Sequence, residues 1–397
     1  MTTSEHLDEL RTSVREWCRE HIPVDWRQTQ TGVGEDEFVR FQKEWFQELR
    51  SAGFAVPHWP REWGGGMSVA EQVVLYQELA KHDAPRLVLA FVSIHHAAST
   101  LLAAGTEAQR NQHLPAILDG EIWCQGFSEP GAGSDMASLA TSARKVGDSY
   151  IVNGQKLWAS GAMHADWCLL LARTDPDAPK RRGISYFLLD MRTPGIEVRP
   201  IRQATGESHF CEIFLDDVEI PADRLVGPEN QGWQVAQQTL GAERGMTMLE
   251  LAERLHHGGF RWLVQMCGRP GSDGERALDD PLVLDRLATL ETELTGLRAL
   301  CTDLVSNDHP APADASIVKL YYSELLQRMT DFATEVAGLA GHTQLRKPLS
   351  SGWESGAWML DFIGSWEWTI PGGTSEIQRT IIGERGLGLP REPEAAR

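Results

Sequence analysis

The sequence predicts a mainly helical α+β chain, with a small β domain set between two helical blocks. Two observations predict it. Apolar residues recur at helical spacing at both ends of the chain, and between them the pattern changes to short β-rich runs separated by turn residues. The resulting divisions are 1–120, 121–228 and 229–397, and 397 residues are enough for two or three packed domains at ~150 residues each.

In the first block Leu7, Leu10, Val14 and Trp17 share one helical face. Pro57, Pro60 and Gly64-Gly65-Gly66 interrupt the pattern as a loop, and helical spacing resumes from Val69 through Leu79. In the second block Tyr150-Ile151-Val152, Asn153-Gly154 and Gln155-Lys156-Leu157-Trp158 read as a hairpin. Asn-Gly accepts the positive φ that a tight turn needs. The runs Trp167–Leu171, Ser185–Leu189, Ile196–Val198 and Phe210–Leu215 follow, at a spacing that suits a small barrel or sandwich. In the third block Leu287, Leu290, Leu294, Leu297 and Leu304 form one stripe with near-heptad spacing, so that helix packs along another. Gly268 to Pro281 is polar and rich in Gly, Asp and Pro, and reads as a loop.

Composition excludes several classes. A net charge of −19 disfavours non-specific nucleic-acid binding, which needs clustered cations. Lys180-Arg181-Arg182 is the clearest basic run and reads as a solvated loop. The six cysteines contain no C-x-x-C pair, so neither a zinc site nor a disulfide framework is indicated, and a reducing cytoplasm is the simplest location. The N-terminus is acidic early and carries no visible signal peptide. The most apolar segment, Leu87 to Ile94, is too short to span a membrane.

Three stretches carry chemistry. Gln125-Gly126-Phe127-Ser128-Glu129-Pro130-Gly131-Ala132-Gly133-Ser134-Asp135 combines glycines that permit close backbone approach with two hydroxyls. Asn153-Gly154-Gln155-Lys156-Leu157-Trp158-Ala159-Ser160 places a tryptophan on a β run, where taken alone it reads as core. The third is Ile370-Pro371-Gly372-Gly373-Thr374-Ser375-Glu376-Ile377-Gln378-Arg379. Together they resemble the acyl-CoA dehydrogenase family, over nearly the whole chain.

The resemblance implies an N-terminal helical domain, a middle β-barrel and a C-terminal four-helix bundle. It implies FAD as cofactor, with its ring held by Gln125, Phe127, Ser128, Gly133 and Ser134. By the same match Trp158 covers one ring face, Ser160 lies near N5, and Thr374 and Glu376 border the ring. Ser134 also touches the CoA moiety, Gly373 contacts the substrate, and the backbone N–H near Gly372 together with a flavin ribityl hydroxyl holds the thioester oxygen. The implied reaction is α,β-dehydrogenation of an acyl-CoA to the trans-2-enoyl-CoA, with electrons passed to an electron-transfer flavoprotein.

That chemistry needs a carboxylate to remove the α-proton, and many members carry it two residues before the tail threonine. This chain has Gly372 there. A subset of the family, including isovaleryl-CoA dehydrogenase, carries the base on a helix immediately before an arginine. Glu243-Arg244 matches that position, so the resemblance makes Glu243 the catalytic base and Arg244 a neighbour on the substrate. The missing side chain at Gly372 leaves room that suits branched or bulky acyl chains.

Two family motifs for the pyrophosphate end of FAD are absent. Arg-x-x-Phe-Gly is replaced by Phe260-Arg261-Trp262-Leu263, and Gln-x-x-Gly-Gly by Glu335-Val336-Ala337-Gly338-Leu339. Some bacterial relatives with this pattern, among them ones acting on steroid side-chain thioesters, pair two different subunits and hold fewer flavins than chains. The expectation is therefore a homo-oligomer, or a hetero-oligomer with a related subunit in which this chain is catalytic. The rival readings are an oxygen-using flavoenzyme of the same fold and a non-catalytic subunit.

Overall fold

The structure, a computed structural model, describes residues 3–242, 245–271, 274–307 and 309–391. Helices α1 (Thr3–His21), α2 (Trp26–Thr29), α3 (Glu35–Ser51), α4 (Val69–Lys81), α5 (Ala98–Ala104) and α6 (Glu107–Leu118) come first. Helix α4 starts where Ser68 and Glu71 close a capping box, the Ser68 hydroxyl accepting from the Glu71 amide and the Glu71 carboxylate accepting from the Ser68 amide. A π-helical turn, Val92–Ala97, leads into α5.

The strands are β1 (Trp123–Gly126), β2 (Ser142–Val146), β3 (Ser149–Ser160), β4 (Trp167–Arg173), β5 (Ile184–Asp190), β6 (Ile196–Ile201) and β7 (Phe210–Pro221). They form one seven-stranded sheet in the order β1-β4-β2-β3-β7-β6, with β5 on the free side of β4. β4 and β5 are buried on both faces. Their side chains alternate with period two: Cys168, Leu170, Phe187 and Leu189 enter the core of the sheet, while Trp167, Leu169, Tyr186 and Leu188 pack against the N-terminal helices.

The Asn153-Gly154 hairpin expected from the sequence is not formed. β3 runs without a break from Ser149 to Ser160, and its tight turn to β2 lies at Gly147-Asp148, between the paired Val146 and Ser149. At Gly154 the pairing with β7 slips, making a bulge. A Cβ on Gly154 would lie 2.5 Å from the Thr141 hydroxyl, so the glycine serves a close approach instead of a turn. Asn153 reaches across to Asp217, donating from Nδ2 to its carboxylate (2.9 Å) and accepting its backbone N–H (2.9 Å).

The last block contains α7 (Gly232–Ala242), α8 (Met246–Arg254), α9 (Arg261–Cys267), α10 (Pro281–Ser306), α11 (Asp314–Gly341), α12 (Trp358–Ser365) and α13 (Ser375–Ile381). The leucine stripe of α10 is buried as expected, against residues such as Met248, Leu251, Leu325 and Met329. The six cysteines are buried free thiols. No described helix is long and apolar enough to cross a membrane.

One buried acid makes folding depend on pH. Asp361 is fully buried and accepts hydrogen bonds from the Ser355 hydroxyl (2.7 Å) and the Gly356 amide (2.8 Å). Burial pushes its carboxyl up from 3.8 to about 7, against the pull of Ser355 and Lys347. The folded state therefore binds this proton more tightly than the unfolded chain, and the contribution to stability falls as pH rises from about 4 to about 7, by a few kcal/mol. Denaturant midpoints measured at pH 5 and 7.5 are expected to differ less in Asp361→Asn than in the unaltered protein.

Candidate active site

The Gln125–Asp135 loop leaves the sheet where β1 ends. β1 pairs in parallel with β4, and Gly126 is required there, because a Cβ would lie 2.9 Å from the Cys168 sulfur. The base of the loop is held by a buried ion pair. Lys156, fully buried on β3, donates to the Glu129 carboxylate (2.7 Å) and to the Phe127 carbonyl (3.3 Å). Glu129 also accepts from the amides of Ala140 (2.6 Å) and Thr141 (3.0 Å). The Leu157 amide donates to the Ser128 carbonyl (2.9 Å). Burial by itself would raise the Glu129 carboxyl, but Lys156 and the Ala140 amide outweigh it and hold the pKa below the usual value.

The tip of the loop is built differently. Gly131, Gly133, Ser134 and Asp135 are exposed, and a Cβ on Gly131 or Gly133 would meet nothing within 4 Å. The protein's own packing does not require those glycines, so the space they leave suits a group outside the chain. Phe127 is buried edge-to-face on Tyr186. Gln125 aligns with Leu169 of β4, and its side-chain Nε2 is buried without a partner. A buried amide donor is nearly always satisfied, so this one points to an acceptor supplied by a ligand or water.

Trp158 is not in the core. Its backbone sits at φ 63°, in the stretch of β3 where pairing with β7 slips between Lys156 and Ala159. Its indole is 54% exposed, with an edge-to-face contact to Phe210 at 6.1 Å. A left-handed backbone is costly for a bulky residue and persists where the surroundings impose it, often at ligand sites. The bulge turns the ring out of the sheet and leaves it exposed. Ser160, two residues on, pairs with Phe210 and is exposed.

The tail forms a second unit. Gly372 and Gly373 take φ 66° and 97°, which explains two glycines in succession. A Cβ on Gly373 would also lie 2.7 Å from the Gln378 amide nitrogen. That Nε2 donates to the carbonyls of Gly372 (2.8 Å) and Gly373 (3.1 Å), and the buried Lys319 ammonium donates to the Gly373 carbonyl (2.8 Å). The Thr374 hydroxyl caps α13 by accepting from the Ile377 amide (3.3 Å). Glu376 is exposed in the first turn of α13, where backbone N–H first and the Thr374 hydroxyl second hold its carboxyl below the usual range.

The contacts described here join Gln125, Phe127, Ser128, Trp158 and Ser160 into one sheet-borne unit through Lys156 and Leu157. They tie Gly373, Thr374 and Glu376 to α11 and α13. Glu243 and Arg244 lie outside the described residues. α7, which ends just before them, is anchored by a buried Thr239–Thr100 hydroxyl contact of 2.6 Å. Glu129, Lys156 and Gln378 sit inside the three motifs, and only the fold shows what each one holds. The available signal was a lysine in a run whose neighbours Leu157 and Trp158 are apolar.

The two stretches that lack the family motifs are engaged within the chain. Trp262 lies under the Arg27 guanidinium at 3.9 Å, and Glu335 pairs with Arg286. Gly338 breaks α11 at φ 54° and ψ −147°.

Models of the N-terminal, middle and C-terminal domains of acyl-CoA dehydrogenase match residues 4–121, 124–218 and 230–387. The chain is 38% identical to acyl-CoA dehydrogenase IpdE1 of Mycolicibacterium smegmatis, over 97% of this chain and 98% of the relative. Among solved structures, the Tcur3481–Tcur3483 steroid ACAD superposes with a TM-score of 0.83 at 32% identity, covering 98% of each chain. The ChsE4–ChsE5 complex from Mycobacterium tuberculosis superposes with a TM-score of 0.80 at 28% identity, again over 98% of each.

Proposed function

The chain belongs to the acyl-CoA dehydrogenase family of flavoprotein oxidoreductases, which act on the CH–CH bond of acyl-CoA, and on that premise we propose how its own residues divide the work. Gln125, Phe127, Ser128, Gly133, Ser134, Trp158, Ser160, Thr374 and Glu376 hold FAD. Glu243 is the base, and Ser134, Arg244 and Gly373 contact the substrate. The product is the trans-2-enoyl-CoA, and an electron-transfer flavoprotein takes the electrons. The observation that carries this reading is Trp158, an exposed indole held at φ 63° on β3, beside an open glycine loop anchored on the same strand by Lys156.

Held by these residues, FAD would supply the acceptor for the hydride from the β-carbon. The remaining tasks belong to the chain. The α-proton is a poor acid in water, so the Glu243 carboxylate must act where developing enolate charge is stabilised. The tail backbone suits that second task. Gln378 and Lys319 fix the Gly372 and Gly373 carbonyls, which sets the direction of the backbone toward the thioester oxygen. The Trp158 face and the loop tip exclude water from the reacting centre.

Gly372 brings no side chain to the site, so the acyl group is branched or bulky. The named structural relatives include a steroid enzyme and a two-component complex, which supports a thioester with a large acyl group and an assembly with a related subunit. A panel of straight-chain, branched and steroid-derived acyl-CoA thioesters, assayed with an artificial electron acceptor, tests this. The bulky substrates are expected to give the higher kcat/KM, and equal turnover on straight chains defeats the substrate assignment.

Trp158 gives a prediction with opposed signs. Trp158→Gly relieves the left-handed backbone, so the flavin-free protein keeps or gains thermal stability. Loss of the aromatic face weakens FAD retention by roughly tenfold, on the scale of an aromatic stacking contact. Flavin absorbance after gel filtration reads the second effect and a melting curve the first.

A further inference from the structure

We propose that His96 is the positioning residue for Glu243, its imidazole placed beside the carboxylate of the base. This rests on the acyl-CoA dehydrogenase reading, and it gives a task to a histidine outside the three motifs.

His96 lies in the π-helical turn Val92–Ala97, and such turns are frequent at functional sites. It is buried, and its ring meets that of Phe91 edge-on at 5.4 Å. Two ends fix how this segment lies on α7. At one end the Trp123 amide donates to the Ser93 hydroxyl (2.9 Å), so the π turn starts against β1, close to Gln125. At the other, α6 follows α5 directly. Gln109 in its first turn donates from Nε2 to the carbonyls of Asp223 (2.8 Å) and Leu225 (3.0 Å), in the connection that feeds α7. The C-terminal end of α5 therefore lies near the start of α7, and the two helices run antiparallel. Between the ends three buried hydroxyls lock the register. Thr100 on α5 meets Thr239 on α7 at 2.6 Å, and the Tyr186 hydroxyl of β5 lies 3.3 Å from Thr100 and 3.4 Å from Thr239. α7 packs on both α5 and the π turn.

From Thr100, one helical turn back along the chain is His96. From Thr239, one turn onward in the sequence is Glu243. In an antiparallel pair those two steps go the same way, each about 6 Å at 1.5 Å per residue. Glu243 lies outside the described residues, and its pairing with His96 follows from this register. α7 offers no other charge, because Gly232–Ala242 contains no ionisable side chain. Glu243 is the first after it, followed by Arg244.

The other titratable groups around the π turn are held neutral. His95 on the same turn stacks on His58, from the connection between α3 and α4, at 4.8 Å. Burial lowers the pKa of both, and His58 and His96 lower that of His95 further. Burial raises the Tyr186 hydroxyl, so it stays protonated. Glu243 then supplies the charge that His96 answers. An imidazole N–H beside a carboxylate orients it and stabilises its charged form. The base thus stays ionised to lower pH, with one oxygen free for the α-proton.

The test measures turnover of the best acyl-CoA against pH in the unaltered protein, His96→Leu, His96→Gln and His95→Gln, with FAD content read by absorbance. Turnover needs the ionised carboxylate, so its acid limb follows Glu243. His96→Leu is expected to lower kcat about tenfold with KM and FAD content unchanged, since misplacing a reacting group costs up to ~10²-fold. The acid limb should move up by about one pH unit, because the charged form loses its donor. His96→Gln keeps an N–H donor and should recover most of kcat. His95→Gln should leave the limb in place. A second readout needs no turnover. The His96 ring, assigned among the 13 histidines by the signal missing in His96→Gln, is titrated by NMR in the unaltered protein and in Glu243→Gln. Its pKa should fall by about one pH unit when the carboxylate is removed. If it titrates identically in both, the role of His96 is wrong, even where Glu243→Gln abolishes turnover. If its pKa falls while Glu243→Gln keeps full turnover, the contact stands and the assignment of the base fails. Equal losses of kcat in His96→Leu and His96→Gln with an unmoved acid limb also overturn the proposal, because they report packing alone.

Discussion

Glu243→Gln is expected to lower the turnover of the best acyl-CoA substrate by ~10²–10⁴-fold, the range for removing a well-placed general base. The amide has the shape of the carboxylate and cannot accept the α-proton. FAD content and CoA affinity should stay unchanged, because neither depends on that proton transfer. Anaerobic mixing with substrate isolates the step: the oxidised flavin band should bleach slowly in the variant and quickly in the unaltered protein. A loss of less than about tenfold removes Glu243 from the role of base. The assignment rests on Gly372, which has no side chain to do the work, and on the match of Glu243-Arg244 to the helix-borne base of one branch of the family.

Lys156→Met is expected to cost about 3–5 kcal/mol of stability and most of the bound flavin. The substitution leaves the Glu129 carboxylate buried with no cation beside it, the costly way to break a buried pair. The amides of Ala140 and Thr141 stay on Glu129 and the Leu157 amide stays on the Ser128 carbonyl, but the side-chain link from β3 to Glu129 and the bond to the Phe127 carbonyl are gone. Loss of flavin should therefore exceed what the change in stability alone produces at 25 °C. The double change Glu129→Gln with Lys156→Met removes both charges and should recover much of the stability while flavin retention stays impaired. Chemical denaturation and flavin-to-protein absorbance ratios read the two quantities separately. The same pair sets an acid limit. Glu129 is held low in the folded state, so its stabilisation is present above its unfolded pKa of about 4.5 and is lost as pH falls through the lower folded value. Flavin release on acidification should begin below about pH 4.5, and earlier in the single variant.

Local pattern made much of the fold legible. The helical spacing of Leu7, Leu10, Val14 and Trp17 lies in α1, where Val14 is fully buried, and the α10 leucines are buried where a heptad stripe puts them. The four later β runs are strands, lengthened by a few residues. Asn153-Gly154 misled because the same glycine that permits a turn also permits a bulge. The contact with Thr141 and the side-chain pairing to Asp217, 64 residues away, decide between them. Trp158 misled as an isolated residue for a related reason: aromatic residues on strands are usually core, and only the slipped pairing with β7 turns this one outward.

By itself the sequence determined the order of helical and β blocks, the family, and the residue types offered to a flavin and an acyl-CoA. These follow from periodicity and from short motifs, which are set by neighbours along the chain. Only the tertiary structure decided that Trp158 stands exposed on a strained bulge and that Glu129 and Lys156, 27 residues apart, lock the loop to β3. It alone placed Lys319 on the carbonyl of Gly373, 54 residues on, and the Lys180 ammonium against Asp135. Each of these joins distant parts of the chain, and burial or charge pairing selects the partner, so no local pattern of residues encodes it.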